Sequence, residues 1–255
     1  MEMQERINNY WSKRADEFGD ARYTDMQGRK RELWQKLIGE HLPQRDPVRA
    51  LDLGTGAGFF SFILRSLGCR VTGIDYSGEM LKNARLNSER LGFDGITFLQ
   101  MDAQDLRFPD GSFDFIFTRN VTWTLPDPAR AYGEMLRVLA PGGRIMNADA
   151  NYAAGFRRMD AAGLTEKAAA HANLQYAHPA GSLEMLRERN DIASALYIGS
   201  EQRPLWDLQV LMAGGIERFW LELDVNANVF GFPRPAGEKL SPEFVLVAEK
   251  GQTAP

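Results

Sequence analysis

A glycine-rich segment limits what this chain can fold into. An apolar run at 50–53 leads directly into residues 54–58, Gly-Thr-Gly-Ala-Gly, and an apolar helical pattern begins at Phe59. Glycine allows positive φ angles and close approach of a ligand to the backbone. A strand, a glycine turn and a helix in this order are typical of the first unit of a ligand-binding α/β domain. The segment therefore predicts both a fold class and the place of a binding site.

The rest of the chain repeats the alternation of strand and helix. The predicted strands are 50–53, 70–75, 96–101, 113–118, 143–148, 216–225 and 244–249, and the predicted helices are 59–67, 78–91, 128–140 and 205–213. Such alternation indicates a parallel sheet covered by helices on both faces. The last two strands are joined by a loop alone, so they could pair antiparallel. We predict an α/β fold with a doubly wound, seven-stranded, mostly parallel, Rossmann-like sheet.

Two segments fall outside this alternation. Residues 1–48 are polar with scattered aromatic residues, and we expect a helical N-terminal extension that could form a lid, with Tyr10 and Trp11 as its material. Residues 49–255 would form the binding domain. Alanine-rich sequence at about 151–202 interrupts it after the fifth strand, which predicts a helical insertion.

Composition narrows the class of partner. The chain has 255 residues, a net charge of -4 and a pI near 5.5, so it has no general attraction for nucleic acid or anionic membranes. The single cysteine, Cys69, excludes a disulfide framework. His171 and His178 lack the spacing of a metal site, so no metal is predicted. No apolar run reaches about 18 residues, and no secretory signal is evident. We expect a cytoplasmic protein with a small-molecule substrate; the oligomeric state stays open.

The acidic residue that follows the glycine segment specifies the ligand further. Asp75 ends the second predicted strand, where a carboxylate can accept hydrogen bonds from both hydroxyls of a ribose. The dinucleotide fingerprint places its third glycine three positions after the second, and Phe59 occupies that position here. The chain also lacks the Lys-Ser/Thr pair of a phosphate loop. These features favour an adenosine cofactor without phosphates.

Five motifs in order resemble the class I S-adenosylmethionine-dependent methyltransferases that act on quinones, lipids and other small molecules. They are Leu51 to Gly58, Gly73-Ile74-Asp75 with Ser77 and Met80, Met101-Asp102-Ala103, Ser112-Phe113-Asp114, and Leu139-Ala140-Pro141-Gly142-Gly143. The resemblance covers about residues 49–250. It implies S-adenosylmethionine as the cofactor.

The resemblance also implies site residues. It places the three glycines, Gly54, Gly56 and Gly58, beneath the methionine portion of the cofactor, and Asp52 belongs to the same motif. Asp75 would hold the ribose, Asp102 the adenine amino group, and Ala103 would flank the adenine ring. Tyr76 and Met80 could pack on the adenine, or could be ordinary packing at a helix start. The remaining candidate cofactor contacts are Tyr10 and Arg119.

The acceptor side is expected beyond the fourth and fifth strands, because open α/β sheets bind ligands at the carboxyl ends of their strands. Asn120 and Trp123 leave the fourth strand and Asp149 ends the fifth, so these three are the candidate catalytic residues. A loop with internally satisfied side chains is the alternative for the first two. Asp149 could act as a base, cap a helix or face solvent.

The predicted function is methyl transfer from S-adenosylmethionine to a sulfur, oxygen or nitrogen atom of a small molecule by in-line displacement. A dedicated base is optional for such a reaction, since alignment and exclusion of water can supply much of the acceleration. Two alternatives remain: a protein that binds S-adenosylmethionine without catalysis, and a nicotinamide-dependent oxidoreductase.

Overall fold

The computed structural model describes residues 2–161, 183–216, 218–232 and 243–252, and side chains are described outside 157–161 and Leu183. Within these ranges the strands are β1 (Arg49–Leu53), β2 (Arg70–Asp75), β3 (Ile96–Gln100), β4 (Phe113–Arg119), β5 (Leu139–Asp149), β6 (Arg218–Glu222) and β7 (Phe244–Glu249). The helices are α1 (Met3–Ser12), α2 (Ala15–Asp25), α3 (Arg29–His41), α4 (Phe59–Ser66), α5 (Gly78–Leu91), α6 (Pro128–Val138), α7 (Tyr152–Ala161), α8 (Leu183–Ala195) and α9 (Leu205–Ala213).

Seven strands of the described ranges form one sheet in the order β3-β2-β1-β4-β5-β7-β6. The first five strands along the chain pair in parallel, whereas β7 pairs antiparallel with both β5 and β6. The predicted seven-stranded, mostly parallel sheet is confirmed, as is antiparallel pairing of the last two strands. Since β7 runs in reverse, its first residues lie at the carboxyl edge of the parallel strands.

Apolar side chains on the two faces of the sheet form two separate cores, and each core packs against its own group of helices. Ala50 of β1 contributes to a core that includes Trp34 of α3 and Phe62 of α4. Its neighbour Leu51 contributes to a second core with Met135 of α6 and residues of α9. This alternation is expected for a strand buried on both faces. It fixes the register of β1 and thereby the position of the glycine turn that follows.

Two predicted boundaries around the start of β5 are wrong. The strand expected at 143–148 begins four residues earlier, because Leu139 already pairs with Phe113 and the ladder resumes after an irregularity. The positive φ of Gly142 (+71°) accommodates that irregularity. The helix expected at 128–140 correspondingly ends at Val138.

The sixth strand is also shorter than the predicted 216–225. At its start, the backbone N–H of Ile216 donates to the Leu211 carbonyl and closes the end of α9. At its end, the Asp224 carboxylate accepts from the N–H of Ala227 and starts a π-helical turn, Val225–Val229. Local capping thus overrides the apolar pattern at both ends of β6.

Within the described residues, the N-terminal extension forms helices α1, α2 and α3, and α2 packs closely on α5. The Asn83 side chain of α5 donates to the Asp16 carboxylate at 3.0 Å, and Asn87 donates to the Gly19 carbonyl at 2.9 Å. A Cβ atom on Gly19 would lie 2.3 Å from the Asn83 Oδ1 atom, so this approach requires glycine. The extension is therefore fixed against the first half of the sheet. No described helix has both the length and the apolar composition needed to cross a membrane.

Candidate active site

The glycine turn connects β1 to α4 through three residues with positive φ: Gly54 (+74°), Gly56 (+54°) and Gly58 (+94°). A Cβ on Gly54 would lie 2.2 Å from the Val121 Cγ2 atom, and a Cβ on Gly58 would lie 2.5 Å from the Phe62 ring. A Cβ on Gly56 would meet nothing within 4 Å. Two of the glycines therefore permit packing within the protein, while Gly56 faces open space at the carboxyl edge of the sheet.

Asp75 ties the end of β2 to this turn. Its Oδ2 atom accepts a hydrogen bond from the Gly56 N–H, and its Oδ1 atom accepts one from the Ser77 N–H, both at 2.9 Å. Burial raises the pKa of the Asp75 carboxyl, and these backbone donors oppose the rise. Each carboxylate oxygen has a further lone pair, which could accept from a hydroxyl of a ligand.

Asp52 lies beneath the glycine turn, buried to 2% exposure. Its Oδ2 atom accepts from the Ser61 hydroxyl at 2.8 Å, and that hydroxyl lies 2.9 Å from the hydroxyl of Thr55. Burial, with a smaller contribution from nearby Asp75, raises the pKa of Asp52 to about 6, and the Ser61 and Thr55 hydroxyls oppose this rise. The structure thus places Asp52 as an internal support of the turn, with its described partners all in the protein.

The turn after β3 carries the residues expected at the adenine. Asp102 Oδ1 accepts from the backbone N–H of Gln104 at 2.8 Å and from its side-chain amide at 3.0 Å. Ala103 between them is buried. The Gln104 amide also donates to the Gln4 side chain of α1 at 3.2 Å. Sequence reasoning did not identify Gln104, because only the fold brings α1 to this turn.

The start of α5 shows a contrast between its two predicted contacts. Met80 is 3% exposed and its N–H donates to the Ser77 hydroxyl, so it packs at a capped helix start. Tyr76 is 38% exposed, so a ligand could reach its ring. Met80 thus packs at the helix start and the Tyr76 ring is partly exposed, and an adenine contact of either residue stays a prediction.

Helix α1 lies against the same edge of the sheet. The Ser12 hydroxyl is 2.8 Å from the Ser77 hydroxyl at the start of α5. Tyr10 is 4% exposed, and its hydroxyl accepts from the Arg14 guanidinium at 3.0 Å. Trp11 contacts Trp123, with 6.4 Å between ring centroids. Helix α1 thus connects the two sides of the candidate site.

The segment that follows β4, which we call the acceptor turn, comprises residues 120–124. Among the described residues other than glycine, Asn120 has a left-handed backbone, with φ +57°. Residues in such sparsely populated conformations cluster at functional sites. The Asn120 N–H donates to the Ala148 carbonyl, and its Oδ1 atom accepts from the Tyr152 hydroxyl at 3.1 Å. Trp123 is 5% exposed and contacts Tyr152 and Phe156 at 5.5 and 5.7 Å between centroids. The place where the acceptor is expected is thus lined by an amide and several aromatic rings.

Arg119, a predicted cofactor contact, forms an ion pair with Glu243, which lies 124 residues away at the start of β7. Their bonds are 2.5 Å (Nε to Oε1) and 3.1 Å (Nη2 to Oε2). The guanidinium lies 5.1 Å from the Trp34 ring centroid. Burial, and after it the positive charge of Arg119, lowers the pKa of Lys30 to about 8. The sequence shows no signal for Glu243, because β7 reaches this edge only through its antiparallel placement.

Asp149, the candidate base, is fully buried and engaged within the protein. Its Oδ2 atom accepts from the Thr122 hydroxyl at 2.6 Å and from the Trp123 N–H at 3.1 Å. The same oxygen lies 3.0 Å from Nη1 of Arg203, and Oδ1 accepts from the Ala150 N–H. Burial raises its pKa, while Arg203 opposes the rise. The solvent-facing alternative is therefore wrong, and the carboxylate holds the acceptor turn.

Residues 44–197 match a protein-family model described as a methyltransferase domain. This match covers more than half of the chain. The chain belongs to the methyltransferase domain family. Membership confirms the resemblance noted in the sequence and S-adenosylmethionine as the cofactor, and it disfavours the oxidoreductase alternative.

Curated relatives of this methyltransferase match part of its length. The chain is 38% identical over 115 residues to demethylmenaquinone methyltransferase of Thermus thermophilus, which covers 44% of this chain and 52% of the relative. It is 41% identical over 99 residues to phosphatidylethanolamine N-methyltransferase of Cereibacter sphaeroides, covering 38% of this chain and 48% of the relative. The chain thus spans about half the length of the curated relatives it matches.

Solved structures support the fold over a greater length. A chain of the complex between the Trm112 methyltransferase activator and a methyltransferase from Haloferax volcanii superposes with a TM-score of 0.62 at 20% identity, over 94% of this chain and 97% of that chain. An S-adenosylmethionine-dependent methyltransferase from Mesorhizobium loti superposes with a TM-score of 0.56 at 24% identity, over 84% and 96%. At these identities the likeness shows a shared fold.

The residues of this methyltransferase fit the cofactor of its family. Open space beside Gly56 leaves room for a ligand to cross the turn, and the Asp75 carboxylate adjoins that space with free lone pairs. The Asp102 carboxylate, one strand further along the sheet, retains acceptor capacity beyond its bonds to Gln104. Within the described ranges, no group of three or more metal-binding side chains is arranged around a common point.

Proposed function

We propose that this chain transfers the methyl group of S-adenosylmethionine to a sulfur, oxygen or nitrogen atom of a small molecule. The observation that carries the proposal is the hydrogen bond between Gly56 and Asp75 at the open glycine turn. The acceptor turn lies beside the glycine turn, because Val121 packs against Gly54. The cofactor and acceptor sides therefore meet at one edge of the sheet.

The residues of the chain would supply binding and orientation. Asp75 would hold the ribose, Asp102 the adenine amino group and Ala103 one face of the adenine. When bound, S-adenosylmethionine would supply an electrophilic methyl group on its sulfonium sulfur, and that sulfur would become a neutral thioether as the methyl group is transferred. Asn120 and Trp123 would place the acceptor atom in line with that methyl group, because displacement requires alignment of the reacting atoms.

The aromatic lining suits an apolar or planar acceptor. Trp11, Trp123, Tyr152 and Phe156 form successive ring contacts, and aromatic rings bury large apolar surfaces. The named relatives act, by their names, on demethylmenaquinone and phosphatidylethanolamine. We propose an acceptor of similar apolar character, with no role for nucleic acid, since the net charge is -4.

The division of the chain follows the same function. We propose that residues 1–48 cover the site, and that 49–255 form the methyltransferase domain with its helical insertion at about 151–202. Arg6 of α1 donates to Glu188 of α8 at 2.7 and 2.8 Å, so the two covering segments contact each other. Residues 162–182, including His171 and His178, lie outside the described residues. A cytoplasmic location is proposed from the single buried Cys69.

Two measurements test the proposal. Calorimetry should show binding of S-adenosylhomocysteine, and absence of binding would refute the cofactor assignment. A screen of thiols, amines and phenols with S-adenosylmethionine labelled in its methyl group should then yield a labelled product. Binding without any labelled product across the screen would favour the alternative of a non-catalytic S-adenosylmethionine-binding protein.

A further inference from the structure

Behind the acceptor turn, six buried polar residues form one network, which we call the buried network. Its members come from the acceptor turn, α6, β5, the segment before α9, and α9 itself: Thr122, Tyr132, Asn147, Asp149, Arg203 and Asp207. Five of them are 0% exposed, and the Arg203 side chain is 1% exposed. Such a network is costly to bury unless its members satisfy one another.

The Thr122 hydroxyl is the junction of this network. It donates to Asp149 Oδ2 at 2.6 Å and accepts from Arg203 Nη2 at 2.6 Å and from the Asn147 amide at 3.2 Å. A hydroxyl has one donor and two acceptor positions, so all three are in use. The rotation of the Thr122 side chain is therefore determined from three directions.

Arg203 joins two carboxylates that belong to different elements. Its Nε and Nη2 atoms donate to Asp207 of α9 at 2.9 and 2.6 Å, while Nη1 lies 3.0 Å from Asp149 Oδ2 at the end of β5. A planar guanidinium can donate hydrogen bonds to Asp207 and Thr122 while its Nη1 atom forms an ion pair with Asp149, whereas an ammonium has no such fixed geometry. Arg203 thus sets the distance between α9, β5 and the acceptor turn.

The network reaches the candidate acceptor site through one further bond. Asp149 Oδ2, held by Thr122 and Arg203, accepts the backbone N–H of Trp123 at 3.1 Å. The Trp123 indole then contacts Trp11 and Tyr152, which line the acceptor side. A change at the network should therefore move this indole while leaving the glycine turn and Asp75 in place.

We propose that Arg203 and Thr122 are positioning residues for methyl transfer: through Asp149 they hold Trp123 where it orients the acceptor. This inference rests on the proposed function. It reassigns Asp149 from a candidate base to part of the support. Arg203 and Thr122 touch neither the cofactor turn nor its aspartate, so their effect falls on the acceptor and not on cofactor binding.

The decisive variant is Thr122→Val, which keeps the shape of the side chain and removes its three hydrogen bonds. Thr122→Ser restores the hydroxyl. The control is Val138→Ala, because Val138 is also buried but ends α6 just before β5, whereas Asp149 lies at the opposite end of that strand. The readout uses protein labelled with 5-fluorotryptophan. Its five tryptophans give resolvable fluorine signals, and Trp123→Phe identifies that of Trp123.

We expect Thr122→Val to shift or broaden the Trp123 signal and to leave the Trp34 signal in place. The affinity for S-adenosylhomocysteine should stay within about twofold of that of the parent. With an acceptor from the screen, kcat should fall about tenfold or more, because a small misplacement of the reacting groups lowers the rate of an in-line displacement. Thr122→Ser should restore both. Arg203→Lys should shift the same signal; if it does not fold, Thr122→Val still decides.

An unmoved Trp123 signal in Thr122→Val would overturn the proposal, as would equal changes in Val138→Ala, which would indicate lost stability alone. Failure of the parent protein to bind S-adenosylhomocysteine would instead refute the proposed function. The fluorine measurement requires no cofactor, so it can be made whatever the result of the binding measurement. The two failures are therefore distinguishable.

Discussion

The Oδ2 atom of Asp75 accepts the backbone N–H of Gly56 at 2.9 Å. This bond joins the residue that ends β2 to the middle of the turn that follows β1, so the two parts of the cofactor site form one unit. Because each carboxylate oxygen accepts from a backbone N–H, the orientation of this half-buried side chain is fixed before any ligand binds. Such preorganisation lowers the entropy cost of binding.

The first prediction concerns Asp75→Asn. The amide retains the shape of the side chain but replaces one acceptor oxygen with a donor, which cannot accept from a ribose hydroxyl. We expect S-adenosylhomocysteine affinity to fall at least about tenfold, the value of one hydrogen bond to a charged group. Calorimetry measures this, with exposed Asp105→Asn as the control. Unchanged affinity would contradict the ribose assignment.

The second prediction compares Gly54→Ala with Gly56→Ala. Both positions have positive φ, which costs an alanine about 1 kcal/mol. Only the Gly54 variant would also place its Cβ 2.2 Å from Val121, so it should lose clearly more stability in urea unfolding. Gly56→Ala meets no protein atom and should remain folded, yet bind S-adenosylhomocysteine more weakly. Equal stability of the two variants would contradict the packing described here.

The first half of the fold could be predicted from sequence because local and tertiary signals agree there. The strand 70–75 and the helix 78–91 have the predicted bounds, since Ser77 caps the helix and Gly92 ends it in the left-handed conformation. The start of β5 was missed because Pro141 and Gly142 read as a turn, whereas the sheet accommodates them as an irregularity in the strand.

The candidate site divides in the same way. Asp75 ends the strand beside β1, so its place at the glycine turn could be predicted from the sequence. The partners of Arg119 and Asp149 were not, because Glu243 and Arg203 approach from distant segments through β7 and α9. Burial and pairing of a carboxylate are tertiary properties, so the sequence left the role of Asp149 open.

The third prediction concerns α1 and its proposed role as a cover of the site. Trp11 has edge-to-face contacts with Tyr10, Phe18 and Trp123, so its removal should loosen α1 from the acceptor turn. We expect Trp11→Ala to speed dissociation of S-adenosylhomocysteine in stopped-flow measurements, and Trp11→Phe to retain most of the parent behaviour. In the parent, the ligand should slow hydrogen exchange of α1 amides. Unaltered exchange in α1 would contradict its role as a cover.

The last prediction follows from the buried carboxyl of Asp52. Its pKa in the folded protein is raised from 3.8 to about 6, so the folded state binds a proton more tightly than the unfolded state does. By linkage, this group favours folding most below about pH 4, and that contribution is lost as pH rises towards 6. The difference of about 2 pKa units corresponds to ~3 kcal/mol.

Asp52→Asn removes this titration and keeps an oxygen that can accept from Ser61. We therefore expect the free energy of unfolding of the variant, relative to the parent, to increase by up to ~3 kcal/mol between about pH 4 and 7. Urea unfolding across this range measures it, and taking the difference cancels groups that titrate equally in both proteins. Asp105→Asn, at an exposed position, should show a flat difference. A flat difference for Asp52→Asn as well would show that the Ser61 and Thr55 hydroxyls compensate the burial of the charge, and that the turn rests on an ionised carboxylate at no cost to folding.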